Sequence, residues 1–107
     1  MSKRRSLSMT AMAVLKAIAA GYCYGFDIMD VTGLPSGTVY PALSRLERDG
    51  MLAFSWESPD IAHDEKRPPR KYYEVTTAGR DALDESMKRF EALQHIEPAG
   101  KRAGVES

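Results

Sequence analysis

Residues 34–52 constrain the fold most. They read Leu-Pro-Ser-Gly-Thr-Val-Tyr-Pro-Ala-Leu-Ser-Arg-Leu-Glu-Arg-Asp-Gly-Met-Leu. Val39, Leu43 and Leu46 recur at helical spacing, so one narrow side of a short helix must be buried. Ser36 is read as its N-cap, and Gly50 as its stop in the left-handed conformation. The opposite face carries Thr38, Tyr40, Ser44 and Arg45. Gly37 and Pro41 are poor helix formers close to the start. Gly37 admits a close approach of another backbone, and Pro41 fixes φ and removes an N–H. A helix with two such residues is shaped by something besides its own stability.

The rest of the chain supplies a frame for that helix. A first helix is predicted from about residue 9 to 20, capped by Ser8 or Thr10 and stopped at Gly21, with Leu7, Ala11, Val14, Leu15 and Ile18 on one side. Residues 25–31 read as a short second helix, with Phe26 and Met29 toward the core and Gly33 as its stop. In residues 51–58, Leu52, Phe54 and Trp56 alternate with Ala53, Ser55 and Glu57, the period of a half-buried strand. Residues 59–69 are rich in proline and charge and read as a mobile loop. Residues 70–75 form a second strand, with Tyr73 and Val75 on one face and Tyr72 on the other. Thr76 or Thr77 caps a long last helix reaching about His95.

The order helix, helix, helix, strand, loop, strand, helix is that of a winged helix-turn-helix: mainly α, with one small β-hairpin and a long C-terminal helix. The predicted organisation is a basic arm over residues 1–7, a winged-helix domain over 8–76, a dimerisation helix over 77–95 and a disordered tail over 96–107. In such a frame the third helix enters the major groove of DNA and the hairpin loop, the wing, reaches the flanking backbone or minor groove. Small hydrogen-bonding groups, one aromatic ring and one cation suit that use. The residues assigned to DNA are Ser36, Gly37, Thr38, Tyr40, Pro41, Ser44 and Arg45 on the helix, with Lys66, Arg67, Arg70 and Lys71 on the wing. Pro68 and Pro69 are expected to stiffen the wing and hold its cations outward.

Charge distribution fits. The 107 residues carry 15 basic and 15 acidic side chains, a net charge of zero, which argues against indiscriminate coating of nucleic acid. The basic residues cluster at Lys3–Arg5 and in the wing. Acidic ones gather at Asp27 and Asp30 and along Asp81, Asp84, Glu85 and Glu91. Length implies one domain. No apolar run approaches a bilayer span and no signal peptide is recognisable, so a cytoplasmic location without a membrane partner is expected. Cys23 is the one cysteine, which excludes an intrachain disulfide; it reads as a small buried apolar residue rather than a redox sensor.

Three segments carry a family resemblance. Tyr24-Gly25-Phe26-Asp27-Ile28-Met29, the residues from Ser36 to Glu47, and Arg70-Lys71-Tyr72-Tyr73-Glu74-Val75-Thr76-Thr77-Ala78-Gly79-Arg80 resemble the second helix, the recognition helix and the second wing strand of the PadR-like regulators, the family of the phenolic acid decarboxylation repressor. The resemblance implies a homodimeric bacterial repressor on a pseudo-palindromic operator. It places Thr38, Tyr40, Pro41 and Ser44 near DNA and makes the last helix the dimer element. Tyr24 departs from the family's common histidine. Some short relatives bind flat hydrophobic compounds through a tryptophan on the last helix. Here the one tryptophan, Trp56, falls on the first wing strand, which does not support that mode.

The last helix supports dimerisation independently. Leu83, Met87, Phe90 and Leu93 form a stripe whose outer turns reach beyond a small trihelical core. Together with Met9 and Met12 they are the predicted interface, with packing onto the chain's own first helix as the competing reading. Expected partners are double-stranded DNA, a second copy and an unidentified small-molecule effector. No cofactor, metal site or catalytic residue is expected: His63 and His95 sit in no ligand or triad spacing, and there is no glycine-rich phosphate loop. The competing function is a winged-helix module that binds protein, and the basic wing favours DNA over it.

Overall fold

The computed structural model describes residues 7–99. Its elements run α1 (Met9–Ala19), α2 (Gly25–Thr32), α3 (Ser36–Arg48), β1 (Leu52–Trp56), α4 (Pro59–Asp64), β2 (Lys71–Val75) and α5 (Thr77–Leu93). The strands pair antiparallel, with Leu52 opposite Val75 and Trp56 opposite Lys71. This is the expected winged helix-turn-helix order with one helix added inside the wing. Most of the predicted basic arm and of the C-terminal tail lies outside the described residues.

The core is built around α1, which packs on α2, α3, α5 and β2. Met12, Val14, Leu15, Ala17 and Ile18 are all buried. That band is wider than one amphipathic face, because four elements pack against the same helix. Ile28 of α2, Val39, Ala42, Leu43 and Leu46 of α3, Leu52, Tyr73 and Leu83 complete the cluster. Ser8 caps α1, its hydroxyl accepting from the Ala11 N–H at 3.0 Å.

One joint fixes α3 relative to the wing and α5. Gly50 follows α3 at φ 79°, a conformation that glycine adopts without a Cβ penalty. Thr76 caps α5 by accepting from the Gly79 N–H at 3.0 Å, and its hydroxyl donates to the Gly50 carbonyl at 2.7 Å. The Thr76 N–H donates to the Met51 carbonyl at 3.1 Å. Gly79 lies directly on that carbonyl, leaving no room for a Cβ.

Four sequence expectations are corrected. Ser36 does not cap α3: Pro35 holds the N-cap position without a side-chain bond, and Ser36 is the first helical residue. The Thr38 and Val39 N–H groups reach the Pro35 carbonyl, which closes the turn without a hydroxyl. Phe26 is 64% exposed, and Ile28, fully enclosed, is the core residue of α2. In β1 only Leu52 is buried, because the hairpin runs out past the helices and only its root meets the core. The loop expected to be mobile contains α4, started by Ser58, whose hydroxyl accepts from the Asp60 N–H at 3.2 Å, with Pro59 in the first turn. His63 therefore lies on a helix.

Leu43→Ala is expected to destabilise the fold by about 2–5 kcal/mol through core truncation. Gly79→Ala should cost about 1–3 kcal/mol, because the obstacle is backbone that must shift. Gly37→Ala meets nothing within 4 Å and should leave the melting temperature unchanged or raised. Thermal denaturation of the three variants checks this pattern, and a Gly79→Ala protein as stable as the parent overturns the joint.

Candidate nucleic-acid interface

The enclosed side of α3 determines which residues are left outside. With Val39, Ala42, Leu43 and Leu46 buried, positions spaced by four and three residues on the far side form one outward stripe: Gly37, Pro41, Ser44 and Arg48. All four are exposed. Pro41 removes the bond that would reach the Gly37 carbonyl, and no side chain caps the helix start. With no side-chain cap, the helix start presents the positive end of its dipole to an anion.

The other predicted helix residues flank this stripe. Ser36 is exposed at the start, and Thr38 is half-buried. Tyr40 is 47% exposed, and its ring lies against Gly25 at the start of α2, where a Cβ would collide with it. Glycine at position 25 thus gives Tyr40 its place. Arg45 turns to the other flank. It lines a groove of about 840 Å³ between α1, α3 and α5, together with Asp49, Asp81, Glu85 and Arg89. Sequence reasoning missed Arg48, although its spacing from Ser44 and Pro41 puts it on the same stripe.

The wing departs most from expectation. Three of its four cations point into the protein. Arg67 grips the Glu57 carboxylate with both terminal nitrogens, at 2.6 and 2.9 Å, and the Arg70 N–H adds a third bond at 3.1 Å. The Glu57 side chain is only 6% exposed. Arg70 lies over the Tyr24 ring, 4.1 Å from its centroid, with its Nε buried and without a hydrogen-bond partner among the described residues. Lys71 reaches across to α3, 3.3 Å from Glu47, and sits 4.1 Å from the Phe54 ring centroid. Lys66 remains exposed at φ 58°, just past the end of α4. The expectation that Pro68 and Pro69 hold the wing cations outward, with at most one of Arg70 and Lys71 facing back along the strand, is therefore corrected: two glutamates and the aromatic faces draw three of them inward.

Tyr24, the departure from the family pattern, belongs to this arrangement. It bridges to Tyr72 across a short antiparallel pairing, and the Tyr73 N–H donates to the Cys23 carbonyl at 2.8 Å. The connection between α1 and α2 is thereby stitched to the wing. Cys23 itself is half-buried against the core.

The predicted interface residues divide. Met12 and Leu83 are buried in the chain's own core, with Met87 and Phe90 packed partly against it. This is packing of α5 onto its own α1. Met9 at 61% and Leu93 at 59% stay open, as does Ile96 at 70%. No helix among the described residues is long and apolar enough to cross a membrane.

The wing clamp has a pH signature. The Arg67 hydrogen bonds pull Glu57 from 4.5 down to about 2, against the opposing effect of its burial. A carboxylate lowered in this way contributes stability that is complete above pH 4.5 and is lost as pH falls through about 2. The Glu57 carboxyl carbon, followed by NMR, is expected to titrate near the lower value, and to return toward 4.5 in Arg67→Ala. Titration at 4.5 in the parent protein would show that the clamp is absent.

The comparisons with known proteins agree with this architecture. The transcriptional regulator PadR-like family profile matches residues 14–85, from the middle of α1 to the middle of α5. The transcriptional regulator Rv3488 of Mycobacterium tuberculosis is 40% identical over 57 residues, covering 53% of this chain and 48% of that protein. The chain thus spans about half the length of the curated relative it matches. A PadR-like transcription factor from Bacteroides fragilis superposes with a TM-score of 0.68 at 29% identity, over 80% of this chain and 84% of the other. A PadR family regulator from Clostridium difficile R20291 gives 0.71 at 22% identity, over 81% and 92%. The PcaV transcriptional regulator of Streptomyces coelicolor, solved with its natural ligand, gives 0.72 at 21% identity, over 92% and 66%. The last two show likeness of fold alone. With the matched region running through all three core helices and the wing, the chain belongs to the PadR-like family of transcriptional regulators.

Proposed function

We propose that this protein represses transcription in the bacterial cytoplasm by binding a pseudo-palindromic DNA operator as a homodimer, with α3 in the major groove. The observation that carries this reading is the outward stripe of α3. Gly37, Pro41, Ser44 and Arg48 lie exposed beside a helix start that no side chain caps, while the opposite side is sealed in the core. Small residues let the helix backbone approach base edges closely, and Ser44 and Arg48 supply donors. Tyr40 and Arg45 flank the stripe and reach the groove walls. On the wing, Lys66 makes the phosphate contact. Arg67, Arg70 and Lys71 hold the wing's shape.

Open apolar residues at the end of α5 support the dimeric part of this reading. Leu93 at the end of α5 and Ile96 just past it are apolar and open to solvent, as is Met9 on α1. Two such surfaces related by a two-fold axis present two α3 helices to one face of DNA. A small-molecule effector, still unidentified, would act on α3 through the groove that holds Arg45 and Asp49. The inward turn of three wing cations weakens the electrostatic argument against a protein-binding module, so DNA binding itself is the first test.

Selection from a random duplex pool should recover a two-fold repeat with half-site centres about 10 base pairs apart. A selected site without dyad symmetry overturns the dimeric reading, and no selection at all favours the protein-binding module. Leu93→Asp is expected to give a monomer by sedimentation with a retained helical spectrum and weakened operator binding. A Leu93→Asp protein that remains dimeric places the interface elsewhere. Lys66→Ala should reduce the slope of log affinity against log salt by about 0.9, one phosphate contact. Arg67→Ala should leave that slope unchanged.

A further inference from the structure

Phe54 and Trp56 form an aromatic surface that the fold does not use. They share one face of the hairpin with Leu52, Lys71, Tyr73 and Val75, by register and pleat. Leu52 and Tyr73 are buried at the root, while Phe54 is 43% and Trp56 is 62% exposed. The two rings meet edge to face, with centroids 6.4 Å apart and planes at 82°. They are therefore a packed pair, held open to solvent.

The direction of this face follows from Lys71. Its Nζ lies 4.1 Å from the Phe54 centroid and 3.3 Å from Glu47 of α3. One atom touches both the aromatic pair and the recognition helix, so the pair is on the side of the wing that faces α3. Trp56 lies about 13 Å further along the strand than Leu52. The pairing of Lys71 with Glu47 offsets the charge of each, leaving this surface apolar at its centre. It adjoins α3 at Glu47.

We propose that Phe54 and Trp56 are a DNA contact in which the rings pack on the deoxyribose edge of the strand bordering the groove entered by α3. This rests on the reading of α3 as the DNA-binding helix, and names what the wing adds. The strand between helix and wing presents apolar sugar C–H groups beside phosphate oxygens. The indole matches both, with an apolar ring for the sugars and an N–H to donate to a phosphate. The wing then grips DNA through shape and apolar contact, independently of sequence, and Lys71 serves to hold the aromatic pair in place.

Trp56 is the one tryptophan in the chain, so its fluorescence reports this contact directly. The full chain is titrated with a mixed-sequence duplex at low salt, with binding followed separately by electrophoretic mobility. Bound duplex is expected to shield Trp56 from acrylamide quenching. Trp56→Ala should weaken binding about tenfold, with an unchanged salt slope, because an apolar contact releases no counterions. Its melting temperature should match that of the parent, and Trp56→Phe should recover most of the affinity. A duplex that binds while Trp56 stays equally open to acrylamide overturns the proposal and leaves the α3 reading standing. So does shielding that grows with protein concentration in the absence of DNA, which would make the pair an interface between copies. Absence of any duplex binding overturns both readings. The quenching measurement uses the unaltered protein, so a poorly folded Trp56→Ala would not spare the proposal.

Discussion

Everything in this structure hangs on the burial of α1 from more than one side. Met12, Val14, Leu15, Ala17 and Ile18 are all buried and together span more than half of the helix circumference, a condition that a helix lying on one surface cannot meet. Packing α2, α3, α5 and β2 against α1 satisfies it. Fully burying an aliphatic side chain is worth about 1.5–3 kcal/mol, so this single helix supplies a large share of the stability available to a small domain. It also determines which side of α3 is spent on the core, and with it which side is left for a partner.

The wing follows a different logic. Its outer part has almost no hydrophobic burial and is held by polar and aromatic contacts instead. Glu57 gathers both Arg67 nitrogens and the Arg70 N–H, while Tyr24 receives the Arg70 guanidinium and pairs with Tyr72. Lys71 ties the same hairpin to α3 through Glu47. These bonds order a segment that would otherwise be a floppy loop, and they use up cations in doing so. A basic wing is therefore a poor measure of the charge presented to DNA. The neutral net charge of the chain agrees with a binder that touches phosphate at few points.

The two edges of α3 also differ. On the wing side, Lys71 joins Glu47 to the Phe54–Trp56 pair in an aromatic and neutralised surface. On the other, Arg45 and Asp49 face α1 and α5 across an open groove. Gly50, Met51, Thr76 and Gly79 join the two, because the end of α3, the root of the wing and the start of α5 meet there.

The sequence alone determined the order of elements and most of their ends. The 3.6-residue period of Val39, Leu43 and Leu46 is a local property, as are the caps at Ser8 and Thr76 and the stop at Gly50. Residues 59–64 were legible too, since Ser58-Pro59-Asp60 is a helix start whose signal was outweighed by the density of proline and charge around it. Family membership followed from short segments whose spacing survives without any knowledge of contacts. Only the tertiary structure decided where the wing cations point, because that depends on Glu57 lying 10 residues from Arg67 and Glu47 lying 24 residues from Lys71. It likewise decided that Phe54 and Trp56 stay open and Phe26 faces solvent. Alternation states that two faces of an element differ; only the position of the neighbouring elements states how far along the strand the cover extends.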